Sequence, residues 1–247
     1  MTDRPICLIT GGSTGIGAAC AILAAKRGYD IVLNYRSDHA SAEQTQTKVI
    51  AAGGRCALAP GDVADPEDIA RIYKVVDDTF GRIDALINNA GIVGQSARLT
   101  EIDHDRLRRM FDVNVIGAML VAREAVIRME TQGEGVVINI SSAAARLGSG
   151  NQYLDYAASK AAIDTFTKGL SDEVAGQGIR VLSVRPGIID TPIHGKGGEP
   201  DRADRLGPVV PLGRKGSPDE VAAAILWLLS DEASYITGTT LDVTGGR

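Results

Sequence analysis

Tyr156 and Lys160 lie four residues apart in the stretch NQYLDYAASKAA, residues 151–162. On a helix that spacing puts two side chains on one face, so a phenol and an ammonium would open into the same cleft. A phenol with a pKa of about 10 is a poor base at neutral pH, and a nearby cation favours its phenolate form. Such a pair can exchange a proton with a substrate oxygen while a bound cofactor exchanges a hydride with the adjoining carbon. Tyr153 has only Ala157 at the same distance, which offers no chemistry. Many helices carry a tyrosine and lysine at this spacing by chance, so the reading depends on what stands nearby.

Three other stretches converge on the same chemistry. VINISS ends in Ser141 and Ser142. A hydroxyl there can polarise a carbonyl or orient an alcohol, while one serine of the pair can instead brace the turn. LINNAGIVG, residues 86–94, puts Asn88, Ala90 and Gly91 where backbone can pass close to a cofactor. Asn114 sits in the apolar run FDVNVIGAML. A buried amide needs partners, so it either braces neighbouring backbone or orders a water linking Lys160 to solvent.

The cofactor end is written at the start of the chain. ICLITGGSTGIGAACAILAAKRG runs from a strand through glycines into a helix. Gly11, Gly15 and Gly17 allow a tight turn, close approach to a pyrophosphate and close helix–strand packing, and the helix N-terminus offers free N–H groups to the anion. The spacing is TGxxxGxG rather than GxGxxG. The next strand ends LNYRSD, with Tyr35 where an acid would bind a ribose hydroxyl and Arg36 beside Ser37. An arginine there suits a 2′-phosphate and favours NADP(H). Asp38 could bind the ribose hydroxyls and admit NAD(H), or it could cap the following helix.

These residues need a scaffold, and the hydrophobic pattern supplies one. Strands are expected at 6–10, 30–36, 56–60, 84–88, 135–141, 180–186 and 240–244, and helices near 15–27, 40–52, 66–80, 103–131, 155–176 and 218–230. Several strands are apolar at consecutive positions, as in a parallel sheet covered on both faces. The alternation predicts an α/β, Rossmann-like doubly wound fold of about seven parallel strands in a single domain. The irregular stretch 190–218, rich in glycine, proline and charge, is expected to be a substrate lid. The net charge of -5 and pI near 5.3 argue against nucleic acid as a partner. No apolar run is long enough for a membrane span. Cys7, Cys20 and Cys56 form no CxxC pair, which points to the cytoplasm, and His39, His104 and His194 lack metal-ligand spacing, so no metal is expected.

In this order the motifs resemble those of the short-chain dehydrogenase/reductase family, from Thr10 to the C-terminal DVTGG. The resemblance implies a catalytic tetrad of Asn114, Ser142, Tyr156 and Lys160. Ser142, the second serine of ISS, stands one residue further from the tyrosine than is usual in the family. It implies phosphate contacts from Thr10, Gly11, Ser13, Thr14, Gly15, Ile16 and Gly17, and adenosine contacts from Asn34, Tyr35, Arg36, Ser37, Asp62 and Val63. Asn89, Ala90 and Gly91 would line the ribose side, together with Tyr156 and Lys160. Pro186, Gly187, Ile189 and Thr191 would surround the nicotinamide. It also implies a homotetramer, for which Ala157, Ala161, Phe166 and Leu170 form either an interface stripe or the helix's own core face.

The expected function is NADP(H)-dependent interconversion of a secondary alcohol, or a sugar lactol, and its carbonyl. Substrate contacts are expected from Ser142, Tyr156, Gln152 and His194, with Arg146, Asn151 and Tyr153 as further candidates. The chain looks most like glucose dehydrogenase-type and 3-oxoacyl-carrier-protein reductase-type members. A non-catalytic NADP(H) sensor is the alternative from another class; an intact Asn, Ser, Tyr and Lys set argues against it.

Overall fold

The computed structural model describes residues 4–247. Chain order runs β1 (Ile6–Ile9), α1 (Gly15–Lys26), β2 (Asp30–Tyr35), α2 (His39–Ala51), β3 (Cys56–Pro60), α3 (Pro66–Thr79) and β4 (Ala85–Asn88). It continues through α4 (His104–Phe111), α5 (Ala118–Gln132), β5 (Gly135–Ile140), α6 (Ala144–Leu147), α7 (Leu154–Val174) and β6 (Ile179–Pro186). The last elements are α8 (Ile193–Lys196), α9 (Arg202–Leu206), α10 (Pro218–Leu229) and β7 (Thr240–Val243).

All seven strands pair in parallel in the order β3-β2-β1-β4-β5-β6-β7. The expected strands are all present, because side chains buried on both faces leave no polar alternation to mislead. β1, β2 and β4 are buried at every position. One core lies between the sheet and α1 and α10, around Cys20, Ala24, Leu33, Val221 and Ile225. The other lies beneath α3 and α5, around Ile72, Tyr73, Val121, Ala125 and Met129. The strand order reverses at β1, which pairs with β2 on one side and β4 on the other. Ligands in such sheets bind in the crevice beyond the carboxyl ends at that switch point. No helix among the described residues is long and apolar enough to cross a membrane.

One expectation gains detail and another needs correction. The stretch 103–131 is helical from His104 onward, but α4 and α5 are joined by a π-helical segment, Asp112–Gly117. The apolar period carries through a widened turn of this kind, so periodicity alone does not reveal it. The stretch 190–218 is not irregular throughout. It contains α8, α9 and a 3-10 turn at Gly207–Val209, and its last residue, Pro218, opens α10. There Ser217 Oγ accepts from the Glu220 N–H at 3.3 Å while the Glu220 carboxylate accepts from the Ser217 N–H at 2.9 Å.

A buried polar chain braces the carboxyl edge. Thr10 donates to Asn88 Oδ1 at 3.4 Å, Asn88 Nδ2 to Asn139 Oδ1 at 3.2 Å, and Asn139 Nδ2 to Thr167 Oγ1 at 2.9 Å. The links run from the end of β1 through β4 and β5 to α7, beneath the crevice. Asn88 is therefore a brace rather than a wall of the crevice.

At the start of α1 packing tolerates no side chain. A Cβ at Gly17 would lie 2.4 Å from Gly11 O and 2.7 Å from Asn89 Nδ2. Gly17→Ala is expected to lower the melting temperature, at a cost of about 1–3 kcal/mol. Thermal unfolding checks this, and an unchanged midpoint would contradict the packing argument.

Candidate active site

The glycine turn takes its shape from two left-handed residues, Gly11 at φ 61° and Gly15 at φ 56°. Asn34 holds the turn from below: Oδ1 accepts from Gly11 N at 3.3 Å, and Nδ2 donates to Ala59 O and Gly61 O, each at 3.0 Å. Thr10 holds it from the side, its hydroxyl accepting from the N–H groups of Asn89 and Ala90, each at 2.9 Å. Asn89 Nδ2 closes the tie on Thr10 O at 2.9 Å and Gly11 O at 3.0 Å. The side chains of Asn34, Thr10 and Asn89, expected at the cofactor, are thus spent on fixing the backbone that would meet it. Thr14 stands at the extended N-cap position without a side-chain cap, and the first turn of α1, with Ile16, carries no acid. Ser13 anchors the turn to α2 by accepting from Thr45 Oγ1 at 3.0 Å. Open helix N–H groups over a cradle lacking Cβ atoms fit the pyrophosphate of a dinucleotide.

At the end of β2, Tyr35 is buried and its hydroxyl is bonded to the His39 ring, so it is a packing residue. Arg36 and Ser37 are exposed at the strand's end. Asp38 caps α2, accepting from Ser41 N at 3.1 Å, and the Ser41 side chain, with this bond, holds its carboxyl below the usual range. Asp62 Oδ1 accepts from Ala64 N at 3.0 Å and Oδ2 from Arg109 at 2.6 Å. Asp62 is also lowered: burial raises it, and these bonds with the charges of Arg109 and Arg36 outweigh that. Val63 is buried, and its carbonyl would lie 2.4 Å from a Cβ at Gly117, so α5 and the π-helical segment can close on this loop only through glycine.

The reacting groups gather where β5 ends. Ser141 N bonds Val184 O at 2.8 Å and Ala143 N bonds Pro186 O at 3.0 Å, so the strand pairing continues past both serines. The pleat then separates their roles. Ser141 is buried and donates to Lys160 O at 3.1 Å. Ser142 is half-buried at the strand's end, its hydroxyl accepting from Ala144 N at 3.1 Å and lying close enough to the Tyr156 phenol to lower its pKa. Lys160 is only 4% exposed. Its Nζ donates to Ile140 O at 2.7 Å and stands 5.7 Å from the centre of the Tyr156 ring.

The pKa shifts depart from the expectation that Lys160 depresses Tyr156. Burial is the larger influence on Tyr156 and raises its pKa, while the Ser142 hydroxyl pulls it down. Burial also depresses Lys160 to about 8, with the Asp164 charge opposing. The ammonium is aimed at a strand carbonyl rather than at the phenol oxygen.

Asn114 sits in the widened turn with its amide fully engaged. Oδ1 accepts from Ile92 N at 2.8 Å, and Nδ2 donates to Ile92 O at 2.9 Å and approaches Ser159 Oγ at 3.1 Å. Of its two expected roles, bracing backbone is the one its side chain fills. A Cβ at Gly91 would meet Asn114 Oδ1 and Lys160 Nζ, each at 3.3 Å, so that glycine leaves room for both.

Across the crevice, Pro186 ends β6, and a Cβ at Gly187 would lie 2.7 Å from Thr244 Cα. Thr191 stands over the glycine turn, its Cγ2 3.4 Å from a Cβ built at Gly15. Ile189 is buried, and its carbonyl is bonded to His194 Nε2 at 2.9 Å; burial lowers the His194 pKa.

Gln152 and Tyr153 belong to a cluster that spacing did not reveal. Tyr153 donates to Glu199 at 2.7 Å, Arg202 donates to Gln152 Oε1 at 2.8 Å, and the Arg202 guanidinium stacks 4.9 Å from the Tyr153 ring centre. Arg205 also pairs with Glu199. On the other wall, a Cβ at Gly197 would lie 3.1 Å from Val93 Cγ1. Gln152 and His194, expected at substrate, thus hold the segment around α8 and α9 in place. Arg146 donates to the Arg247 backbone oxygen at 2.7 Å and lies 3.5 Å from Asp242.

A family model described as Enoyl-(Acyl carrier protein) reductase matches residues 11–247. The chain belongs to the short-chain dehydrogenase/reductase family. It is 45% identical over 245 residues to "Uncharacterized oxidoreductase YgfF" of Escherichia coli strain K12, covering 98% of this chain and 99% of that one. It is 38% identical to the 3beta-hydroxysteroid dehydrogenase 1 of Eggerthella lenta, covering 97% and 92%. The crystal structure of a 3-ketoacyl-(acyl-carrier-protein) reductase from Brucella melitensis, complexed with NADH, superposes with a TM-score of 0.91 at 30% identity, covering 98% of both chains. The chain is an oxidoreductase of the kind that uses a nicotinamide dinucleotide.

Removing the Tyr153 hydroxyl should loosen the segment it ties down. Tyr153→Phe is expected to speed tryptic cleavage at Lys196, Arg202 and Arg205 several-fold, because opening of a weakly held segment governs proteolysis. Cleavage at the wild-type rate would show that the Glu199 contact carries no weight.

Proposed function

We propose that the chain interconverts a secondary alcohol and a ketone, with Tyr156 as general acid and base, Ser142 holding the substrate oxygen and NADP(H) as the preferred cofactor. The observation that carries the reading is the Tyr156 phenol one helical turn from the buried Lys160 ammonium, with the Ser142 hydroxyl beside it at the end of β5. A bound nicotinamide dinucleotide supplies or accepts the hydride. Tyr156 passes the proton to or from the substrate oxygen. Ser142 donates to that oxygen and keeps it in line with the phenol. Lys160 is held by Ile140 O with its charge towards Gly91, where it would bind the cofactor's ribose side. Asn114 keeps the Ile92 backbone in register beside it.

NADP(H) is supported by charge at the end of β2. Arg36 is exposed there, and Asp38, the acid that could hold ribose hydroxyls, is occupied in capping α2. The names of the relatives make hydroxysteroids and 3-oxoacyl thioesters the first substrates to try. Residues 190–218 act as the lid of a single domain, anchored by the Tyr153–Glu199–Arg202 cluster. The assembly is a homotetramer in the cytoplasm. Ala157, Phe166 and Leu170 pack into the chain's own core, so the exposed Ile116, Met119 and Ile127 are the better interface residues.

Tyr156→Phe is expected to lower kcat at least a hundredfold with NADPH and an accepted ketone, since a positioned acid contributes on the order of 10²–10⁴. Ser142→Ala should cost a comparable factor and Ser141→Ala much less in kcat; the reverse order would move the substrate-holding role to Ser141. For the cofactor, Arg36→Ala should cut the NADPH-to-NADH ratio of kcat/KM by about tenfold or more, as loss of one charge-assisted bond of about 1.5–3 kcal/mol implies. A ratio that stays at the wild-type value would refute the 2′-phosphate assignment.

A further inference from the structure

A buried ammonium needs compensation, and one backbone carbonyl is a weak counter-charge. Around Lys160, the strand side offers the neutral Ile140 carbonyl and the widened turn the neutral amide of Asn114. Where α4 meets α7, Asp155 is already paired with Arg106 at 2.8 Å. Within α7 itself, Tyr156 lies one turn before the lysine and Asp164 one turn after, on the same face. Asp164 is largely buried, and its charge is the one acting to keep Lys160 protonated against burial.

The Asp164 carboxylate is also shared. Oδ1 accepts from Ser183 Oγ at 3.3 Å and Oδ2 from Arg185 Nε at 2.9 Å, both on β6. Arg185 Nη1 lies 3.6 Å from Asp242 on β7, and Asp242 lies 3.5 Å from Arg146 Nη2. Charges therefore alternate in contact from Asp164 through Arg185 and Asp242 to Arg146, four residues after Ser142, with Lys160 one helical turn before Asp164. In so long an alternation, the strength of each link depends on how far the next one neutralises it.

We propose that Asp164 is a positioning residue for the reaction, the counter-charge that keeps the buried Lys160 ammonium protonated, and that Arg185 sets how much of that charge the lysine feels. The proposal rests on the acid–base reading of Tyr156 and Lys160 given above. Neither Asp164 nor Arg185 touches the reacting atoms. Their effect is on the pH range over which the ammonium persists, and removing each partner pushes that range in a different direction.

The test is the pH dependence of kcat/KM for NADPH-dependent ketone reduction by the full chain. Asp164→Asn keeps the shape and removes the charge, so the alkaline limb moves to lower pH by about half a unit or more. Arg185→Met releases Asp164 from its guanidinium, so the limb moves to higher pH. Asp164→Glu returns it towards wild type. A role in packing alone would lower the melting temperature of both variants without moving the limbs apart. Limbs that coincide with wild type, or move together, overturn the proposal. If Asp164→Asn fails to fold, Arg185→Met decides alone: an upward shift supports the proposal and an unmoved limb refutes it. Tyr156→Phe separates this from the underlying reading. An active Tyr156→Phe removes the acid–base assignment and the role of Asp164 with it; an inactive one with unmoved limbs removes only the role of Asp164.

Discussion

The structure turns on one bond, from the Lys160 ammonium to the carbonyl of Ile140 at 2.7 Å. A cation this far from water is costly, and it is tolerated only where dipoles and charges are fixed around it. That requirement reaches outward. β5 must end where its last carbonyl can accept, a side chain at Gly91 would crowd the ammonium, and α7 must lie across the sheet at a height that brings its second turn to that carbonyl. Ser141 locks the height by donating to the lysine's own backbone carbonyl. Its neighbour Ser142 is then delivered to the crevice by the alternation of the strand.

Rigidity beneath the crevice comes from polar groups that do no chemistry. Thr10, Asn88, Asn139 and Thr167 link β1, β4, β5 and α7 in one buried chain, and Asn34 and Asn89 clamp the glycine turn. A satisfied buried network of this kind fixes relative positions more sharply than apolar packing, because each bond is directional and costly to break. Asn114 belongs to the same class. The widened turn between α4 and α5 lets its amide meet the backbone of Ile92 and the hydroxyl of Ser159 together.

Most of the scaffold was legible in the chain. Seven apolar runs became seven strands, and the six expected helices formed within a few residues of their expected ends, one of them with a π-helical turn inside it. The pair Tyr156 and Lys160 was legible from helical spacing, and the glycine turn from its place between a strand and a helix. The division of labour between Ser141 and Ser142 was not, since both have the same side chain and only the pairing with β6 says which one points inward. Thr10, Asn34 and Asn89 looked like cofactor contacts because they adjoin the turn. Their hydrogen bonds run to backbone from other strands, a relation that local sequence does not contain.

By itself, then, the sequence determined the α/β layering, the parallel sheet, the position of the glycine turn and the residue types at the reacting edge. Those follow from periodicity and from the local conformations that glycine and proline allow. Tertiary structure alone decided the upward pull of burial on Tyr156, the direction of the Lys160 ammonium, the widened turn between α4 and α5, and the Glu199–Arg202 anchor on Tyr153. Each of these joins residues distant along the chain, and an electrostatic environment is a property of what surrounds a group in space rather than of its neighbours in order.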